Sequence, residues 1–315
     1  MIIARAPLRI TLGGGGTDIP AYYEKYSGHC LAAAIDKYVT ITIHETFVDD
    51  LIVKYSKMER VPSAEHVEHP IVREAMRLVG VDGRGLEICS HADIPAGTGL
   101  GSSSSFTVAL LLALHTYQRQ TCSPQQLAEE ACSIEIDVLE QPIGKQDQYM
   151  AAFGGLRLMS FERDGRVDVC GLNFLPFDSF ADLEDNLLLF FTGQTHKAAE
   201  ILGASTMPDD ASASYVAGKA ADALEDGDLQ GFAEQMNEQW HVKNQRTPTS
   251  EDIQRWRTLG FENGALGGKL VGAGGGGFLM FYTEQKGSLR RVMADAGLRE
   301  VRFRFDFDGA RVVAS

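Results

Sequence analysis

The chain has little of what marks a secreted, membrane-embedded or nucleic-acid-bound protein. Its five cysteines (Cys30, Cys89, Cys122, Cys132, Cys170) are odd in number and dispersed, with no CxxC pair. They read as buried thiols of a reducing compartment rather than a disulfide framework. None of the eight histidines stands in HExxH or another zinc spacing, so a protein-built metal cage is not expected. No apolar run is long enough to span a bilayer, and the N-terminus, with Arg5 and Arg9 inside a strand-like run, has no signal-peptide core. Positive charge is scarce too: 29 Lys+Arg against 43 Asp+Glu leave a net charge of −14. That excludes the basic field which non-specific nucleic-acid or anionic-membrane binding needs. The expectation is a cytoplasmic protein with no nucleic-acid and no membrane partner, any anionic substrate being held by local basic islands.

What is there is an ordinary globular composition, 44% hydrophobic and 23% charged over 315 residues, enough for one large or two average domains. Neither an internal repeat nor a low-complexity tract appears. Strands are expected at 2–12, 39–43, 51–55, 86–90, 156–161, 167–170, 187–191, 269–271, 278–282, 301–307 and 310–313. Helices are expected near 71–78, 106–117, 124–139, 196–206, 211–226, 228–245, 250–262 and 286–296, with another helical piece opening at 144–150. Hairpin signals at Asp164-Gly165 and Asp308-Gly309 among mixed helices and strands read as α+β. The acidic, proline-bearing stretch 173–185 marks the expected boundary between domains 1–180 and 181–315.

Glycine, at 33 residues, is where the sequence becomes specific. Gly13–Gly16 interrupt the first strand and lead into Thr17-Asp18. In Pro-Ala-Gly-Thr-Gly-Leu-Gly-Ser-Ser-Ser-Ser (95–105), three alternate glycines (Gly97, Gly99, Gly101) let the backbone approach a ligand closely. Four serines then open a buried helix with good cap chemistry, so amide N–H groups and a positive dipole end make an anion site there. A plain loop with a serine N-cap is the alternative. The third cluster, Gly272-x-Gly274-x-x-Gly277, spells the dinucleotide fingerprint but runs into Phe-Leu-Met-Phe-Tyr, a strand where a helix is required. A Walker A motif is absent, since Leu270 stands where Ser or Thr must be, and so are the protein-kinase signatures. Three ordered glycine segments remain, and they point to a phosphate cradle. In addition, Glu135 lies on an otherwise apolar helix face, where a carboxylate needs a partner; Asp137 competes with it.

Ala-Pro-Leu-Arg-Ile-Thr-Leu-Gly-Gly-Gly-Gly-Thr-Asp (6–18), the segment 95–105 and Lys-Leu-Val-Gly-Ala-Gly-Gly-Gly-Gly (269–277) resemble, in order, the three motifs of the GHMP kinase superfamily. The Gly-Gly-Gly-Thr-Asp form, Ile-Gly-Lys-Gln-Asp-Gln-Tyr (143–149) and Gly-Ala-Leu-Gly-Gly-Lys (264–269) are most similar to the D-glycero-D-manno-heptose 7-phosphate kinase group. The resemblance implies an ATP- and Mg²⁺-dependent enzyme that phosphorylates the anomeric hydroxyl of a sugar. It implies a ribosomal S5-like N-terminal half and a ferredoxin-like C-terminal half. Asp147 is then the base and Arg9 its partner. Gly97, Gly99, Leu100, Gly101, Ser102, Ser103 and Ser104 hold the nucleotide, while Ser103 and Glu135 hold the metal. Gly15, Gly16, Thr17, Asp18, Gly274, Gly275 and Gly276 face the substrate. His196 and Lys197 head the basic candidates (Arg5, Lys37, Lys243, Arg246) for a sugar phosphate, with histidine where related sequences carry arginine. A fucose or uronate 1-kinase, and a binding regulator without catalysis, are the rival readings; a homodimer is left open.

Overall fold

The computed structural model describes residues 1–172, 177–195, 212–246, 249–272 and 274–315. Two long antiparallel strands, β1 (Ile2–Gly13) and β2 (Gly28–Glu45), are its axis. Leu31, Ala33 and Ile35 of β2 enter one core while Ala32 and Ala34 enter another. A strand buried on both faces shows no polar alternation, so the sequence announced only the half-buried stretch 39–43.

Around that pair, β3 (Leu51–Lys54), β4 (Met58–Val61), β5 (Leu86–Ala92) and β12 (Arg311–Ala314) complete the order β12-β1-β2-β5-β3-β4. The first half of β2 also pairs with β6 (Leu156–Phe161), which forms the expected hairpin with β7 (Val167–Gly171). Of these pairings only β3 with β5 is parallel. On this sheet lie α2 (Pro70–Val79), α3 (Ser102–Tyr117), α4 (Pro124–Cys132) and α5 (Gln146–Phe153); α1 (Pro20–Tyr26), short and tyrosine-rich, was not foreseen. The helix expected over 124–139 is α only to Cys132, and Ser133–Val138 continues it as a π-helical turn.

A second, four-stranded sheet has the order β11 (Arg299–Val301), β8 (Leu187–Phe191), β10 (Phe278–Tyr282), β9 (Gly267–Val271). It carries α6 (Phe177–Asn186), α8 (Leu229–Arg246), α9 (Glu251–Glu262) and α10 (Lys286–Asp295), while α7 (Ser212–Glu225) packs between α8 and the strands β1 and β2. Alternate residues of its strands serve two cores, Leu189, Met280 and Tyr282 on one side and Leu188, Phe190 and Phe281 on the other. The alanine face of α7 (Ala213, Ala217, Ala220, Ala221) lets this half close on β1, and a Cβ at Gly13 would lie 3.1 Å from the Ala217 Cα.

Two expectations are corrected here. The strand over 301–307 stops at Val301, because the Arg304 and Phe305 amides turn to Asp36 and Glu184. Residues 310–313 do not fold back on it. Arg311–Ala314 is instead the edge strand of the first sheet, antiparallel to β1. The helix expected at 196–206 lies outside the described residues. Among the described residues no helix is long and apolar enough to cross a membrane.

Candidate active site

The helix α3 begins at a glycine and not at a serine. Gly101, at φ 77°, is the N-cap and offers no side-chain bond. This corrects the expected serine cap. Ser103 Oγ donates to Glu135 Oε1 at 2.9 Å and Ser105 Oγ to the Pro7 carbonyl at 2.7 Å. The first-turn amides of α3 are thus left without a side-chain cap, at the positive end of a 16-residue helix dipole. That is an anion site. Leu100 is fully buried and its carbonyl accepts the Arg9 N–H at 3.0 Å, so only its backbone is placed for a ligand.

Glycine at 99 and 272 brings the middle and late loops together. A Cβ on Gly99 would stand 3.0 Å from the Val271 carbonyl oxygen, and one on Gly272 would stand 2.6 Å from the Gly99 Cα. Backbones that close admit no side chain. Gly274, Gly275 and Gly276 follow at positive φ, 120°, 77° and 159°. The Lys243 ammonium holds the Gly272 carbonyl.

Arg9 and Asp147 meet at the mouth of this loop. Arg9 Nε and Nη2 donate to the two carboxylate oxygens at 2.8 Å each, and Nη1 donates to the Gly99 carbonyl at 2.6 Å. The arginine side chain is 6% exposed and the aspartate 26%, so the pair faces outward through the carboxylate. A Cβ at Gly101 would lie 3.3 Å from Asp147 Oδ2, which shows how closely the helix start approaches the acid. Asp147 sits in the first turn of α5 yet bonds across the chain instead of capping it.

Asp18 stands beside them. Its Oδ2 accepts the Gln146 N–H at 3.0 Å, and a Cβ at Gly144 would collide with it. Burial first, and then the Asp147 charge, push its carboxyl above the usual range. Thr17 is fully buried, and its hydroxyl donates to the Gly14 and His29 carbonyls, at 2.9 and 2.8 Å, closing the turn that holds Gly15 and Gly16. That hydroxyl builds the glycine turn.

Glu135, on the π-helical turn, is fully buried. Beyond Ser103, its carboxylate is bonded by Ser104, and Gln148 Nε2 donates to it at 2.8 Å. Burial raises its pKa, and Gln148 Oε1 has no hydrogen-bond partner among the described residues. Beside Ser102 and Ser103 opens an apolar pocket of about 410 Å³ lined by Val39, Tyr55, His69, Ile71 and Phe106. The His69 ring lies 5.1 Å from that of Phe106, and burial lowers its pKa, favouring the neutral form.

His196, Lys197 and Arg246 of the expected basic cluster lie outside the residues whose side chains are described. Lys37 is paired with Asp36 at 2.8 Å, and Arg5 lies over the Tyr38 ring at 3.9 Å. Sequence reasoning did not single out Gln146, whose side chain touches Thr11, Cys30 and Asp147, or Lys269 as a buried amine. The signal for Gln146 was present in two neutral amides flanking an acid.

The profile described as GHMP kinases N terminal domain matches residues 67–155, and that described as GHMP kinases C terminal matches residues 220–297. A Campylobacter jejuni protein named D-glycero-alpha-D-manno-heptose 7-phosphate kinase is 28% identical, over 90% of this chain and 89% of its own length. A mevalonate kinase of Methanothermobacter thermautotrophicus is 27% identical over 82% of this chain and 84% of its own. A solved structure described as a D-glycero-D-manno-heptose 1-phosphate kinase from Bacteroides thetaiotaomicron superposes with a TM-score of 0.83 at 27% identity, covering 100% of this chain and 99% of that one. With family models matching in both halves of a chain whose three glycine segments stand in order, the chain belongs to the GHMP kinases, as an ATP-dependent sugar kinase.

Proposed function

We propose that the protein phosphorylates the anomeric hydroxyl of D-glycero-D-manno-heptose 7-phosphate, giving the 1,7-bisphosphate. The observation that carries the reaction type is the Arg9–Asp147 fork, set at the free N-terminus of α3 and beside Asp18. The nucleotide's phosphates lie on the α3 amides and the loop of Gly97, Gly99 and Gly101, with Ser102 and Ser104 alongside. The adenine takes the pocket between Tyr55 and Phe106, whose aromatic faces suit a flat ring. The sugar sits against Asp18 and the turn of Gly15 and Gly16, closed from the other side by Gly274, Gly275 and Gly276.

The hydroxyl then gives its proton to Asp147 as its oxygen bonds the γ-phosphorus. The bond from that phosphorus to the bridging oxygen breaks, and ADP leaves. Arg9 offsets charge on the transferring group while holding Gly99, so acid and phosphate loop stay in register. A divalent cation fits the remaining feature, a fully buried carboxylate with serine hydroxyls beside it and no cationic side chain among its bonds. Ser103 and Glu135 would hold Mg²⁺, which supplies neutralisation of the β- and γ-phosphate oxygens.

The heptose assignment rests on the motif forms and on the named relative. An ADP-release screen over D-glycero-D-manno-heptose 7-phosphate, the unphosphorylated heptose, L-fucose, glucuronic acid and galactose tests it, with the product's phosphorylation site read by ³¹P NMR. Preference for the heptose 7-phosphate with a new signal at carbon 1 is expected. Preference for L-fucose or the uronate would overturn the sugar while keeping the reaction. Release of ADP with none of them would overturn both.

A further inference from the structure

Gln146 occupies a position that the reaction as described leaves unused. The residue is 4% exposed, and its side chain joins three elements. Oε1 accepts from Thr11 Oγ1 of β1 at 3.0 Å and from the Cys30 thiol of β2, while Nε2 donates to Asp147 Oδ1 at 3.0 Å. Its backbone N–H donates to Asp18 Oδ2. One residue therefore bonds both acids of the site, one through the main chain and one through the amide.

The orientation of that amide is forced. Burial pushes the Cys30 thiol well above its usual pKa, so the sulfur keeps its proton and, like the threonine hydroxyl, offers a donor to Oε1. A flipped amide would set its oxygen against the Asp147 carboxylate, acceptor on acceptor. The charged and titratable groups around the amide are Arg9 from β1, Cys30 from β2, Asp18 from the first turn, Lys269 from β9 and Asp147 itself, with Glu135 further off. The arginine fork fixes the plane of the carboxylate. It does not by itself keep Asp147 at a set distance from Asp18, which repels it.

We propose that Gln146 is a positioning residue of the phosphoryl transfer, its amide holding Asp147 Oδ1 so that the other edge of the carboxylate faces the incoming hydroxyl. The inference rests on the reading of Asp147 as proton acceptor. Gln146→Met keeps the side-chain length and removes all three side-chain bonds. Gln146→Glu keeps all three only when protonated, since a carboxylic acid has one O–H for Asp147 and one C=O for Thr11 and Cys30.

The test is steady-state ADP release with the sugar from the screen that turns over best, from pH 5.5 to 8.5, with thermal melts of each variant and a crystal structure of Gln146→Met. For Gln146→Met kcat is expected to fall about tenfold to a hundredfold, the size of a small misplacement of a catalytic group, with KM for ATP within about twofold. For Gln146→Glu the ratio of variant to wild-type kcat should rise at least about tenfold from the alkaline to the acid end, as one proton is taken up. A merely structural residue gives a ratio indifferent to pH. The inference is overturned if folded Gln146→Met keeps kcat within about twofold with Asp147 in its original rotamer, or if the Gln146→Glu ratio is flat. Should Gln146→Met not fold, the Gln146→Glu profile decides. Asp147→Asn separates the two readings: full turnover there refutes the acceptor itself, whereas an inactive Asp147→Asn beside a fully active Gln146→Met refutes the positioning role alone.

Discussion

Replacing Lys269 by methionine measures what a buried ammonium does to the stability of this fold. Lys269 on β9 is 3% exposed, and its Nζ donates to the Leu12 carbonyl at 3.1 Å. Burial is the largest influence on it, with the like charge of Arg9 acting the same way, and together they bring its pKa from 10.5 to about 7. Between those values the folded chain holds one proton fewer than the unfolded chain, so stability rises with pH, by about 1.4 kcal/mol per pH unit. Below pH 7 both states are charged and the penalty is at its full size, roughly 5 kcal/mol; above 10.5 it has vanished. Methionine does not titrate. Urea denaturation of wild type and Lys269→Met at pH 7.5 and 9.0 should show the wild type gaining about 2 kcal/mol on the variant between the two conditions. The raised pKa values of Cys132 and Tyr149 act in the opposite sense but are common to both proteins. A difference that stays constant with pH, within about 0.5 kcal/mol, refutes the reasoning and means that Lys269 is charged in the fold throughout.

Asp18→Asn should stabilise the protein by about 1–2 kcal/mol at pH 7.5 in the same urea assay while lowering kcat/KM for the sugar. A carboxyl with a raised folded pKa loses stability as pH climbs through that value, and asparagine still accepts the Gln146 N–H. Gly99→Ala, at φ +81° with the Val271 oxygen 3.0 Å from the new Cβ, should cost about 1–3 kcal/mol and raise KM for ATP, read by thermal melts and kinetics; an unchanged KM would detach this loop from the nucleotide. Glu135→Gln should raise the Mg²⁺ concentration for half-maximal rate at least about tenfold, and an unshifted Mg²⁺ titration would remove Glu135 from the metal.

How much was legible follows the physics of each signal. Glycine clusters announce themselves because few residues tolerate positive φ or backbone contact, and Gly99 and Gly272 do touch. Val39, Ile41 and Ile43 showed as a strand because one face there is wet, whereas Cys30 to Ile35 of the same strand hid in the double-sided core. Glu135 was found by its conflict with an apolar helix face. The contact of the Thr17 hydroxyl with the Gly14 carbonyl was not legible, because a hydroxyl beside a glycine turn looks the same in sequence whatever it meets. Gln146 and Lys269 owe their character to partners at sequence separations of 135 and 257 residues, Thr11 and Leu12, and no local pattern encodes those.

Those distant partners also explain why a site made of N-terminal residues needs the C-terminal half. The first glycine turn carries backbone groups that its own strand cannot satisfy. Gly14 N–H finds Gln239 Oε1 of α8 at 2.6 Å, and the Leu12 carbonyl finds Lys269. The late loop is fixed in turn by Lys243 on Gly272 and by Thr192, whose N–H and hydroxyl both donate to the Gly277 carbonyl, at 2.9 and 3.0 Å. Buried peptide groups left unpaired would cost about 1–3 kcal/mol each, so the Gln239 and Lys269 bonds hold one half of the molecule to the other through the first glycine turn. Arg9 then carries the constraint inward, from the Gly99 carbonyl to Asp147. The proposed chemistry sits on β1, α3 and α5, but the geometry there depends on side chains of β9 and α8. A C-terminal fragment change that spares every catalytic atom, such as Gln239→Leu, leaves the Gly14 amide orphaned and should move Asp18 and Arg9 with it.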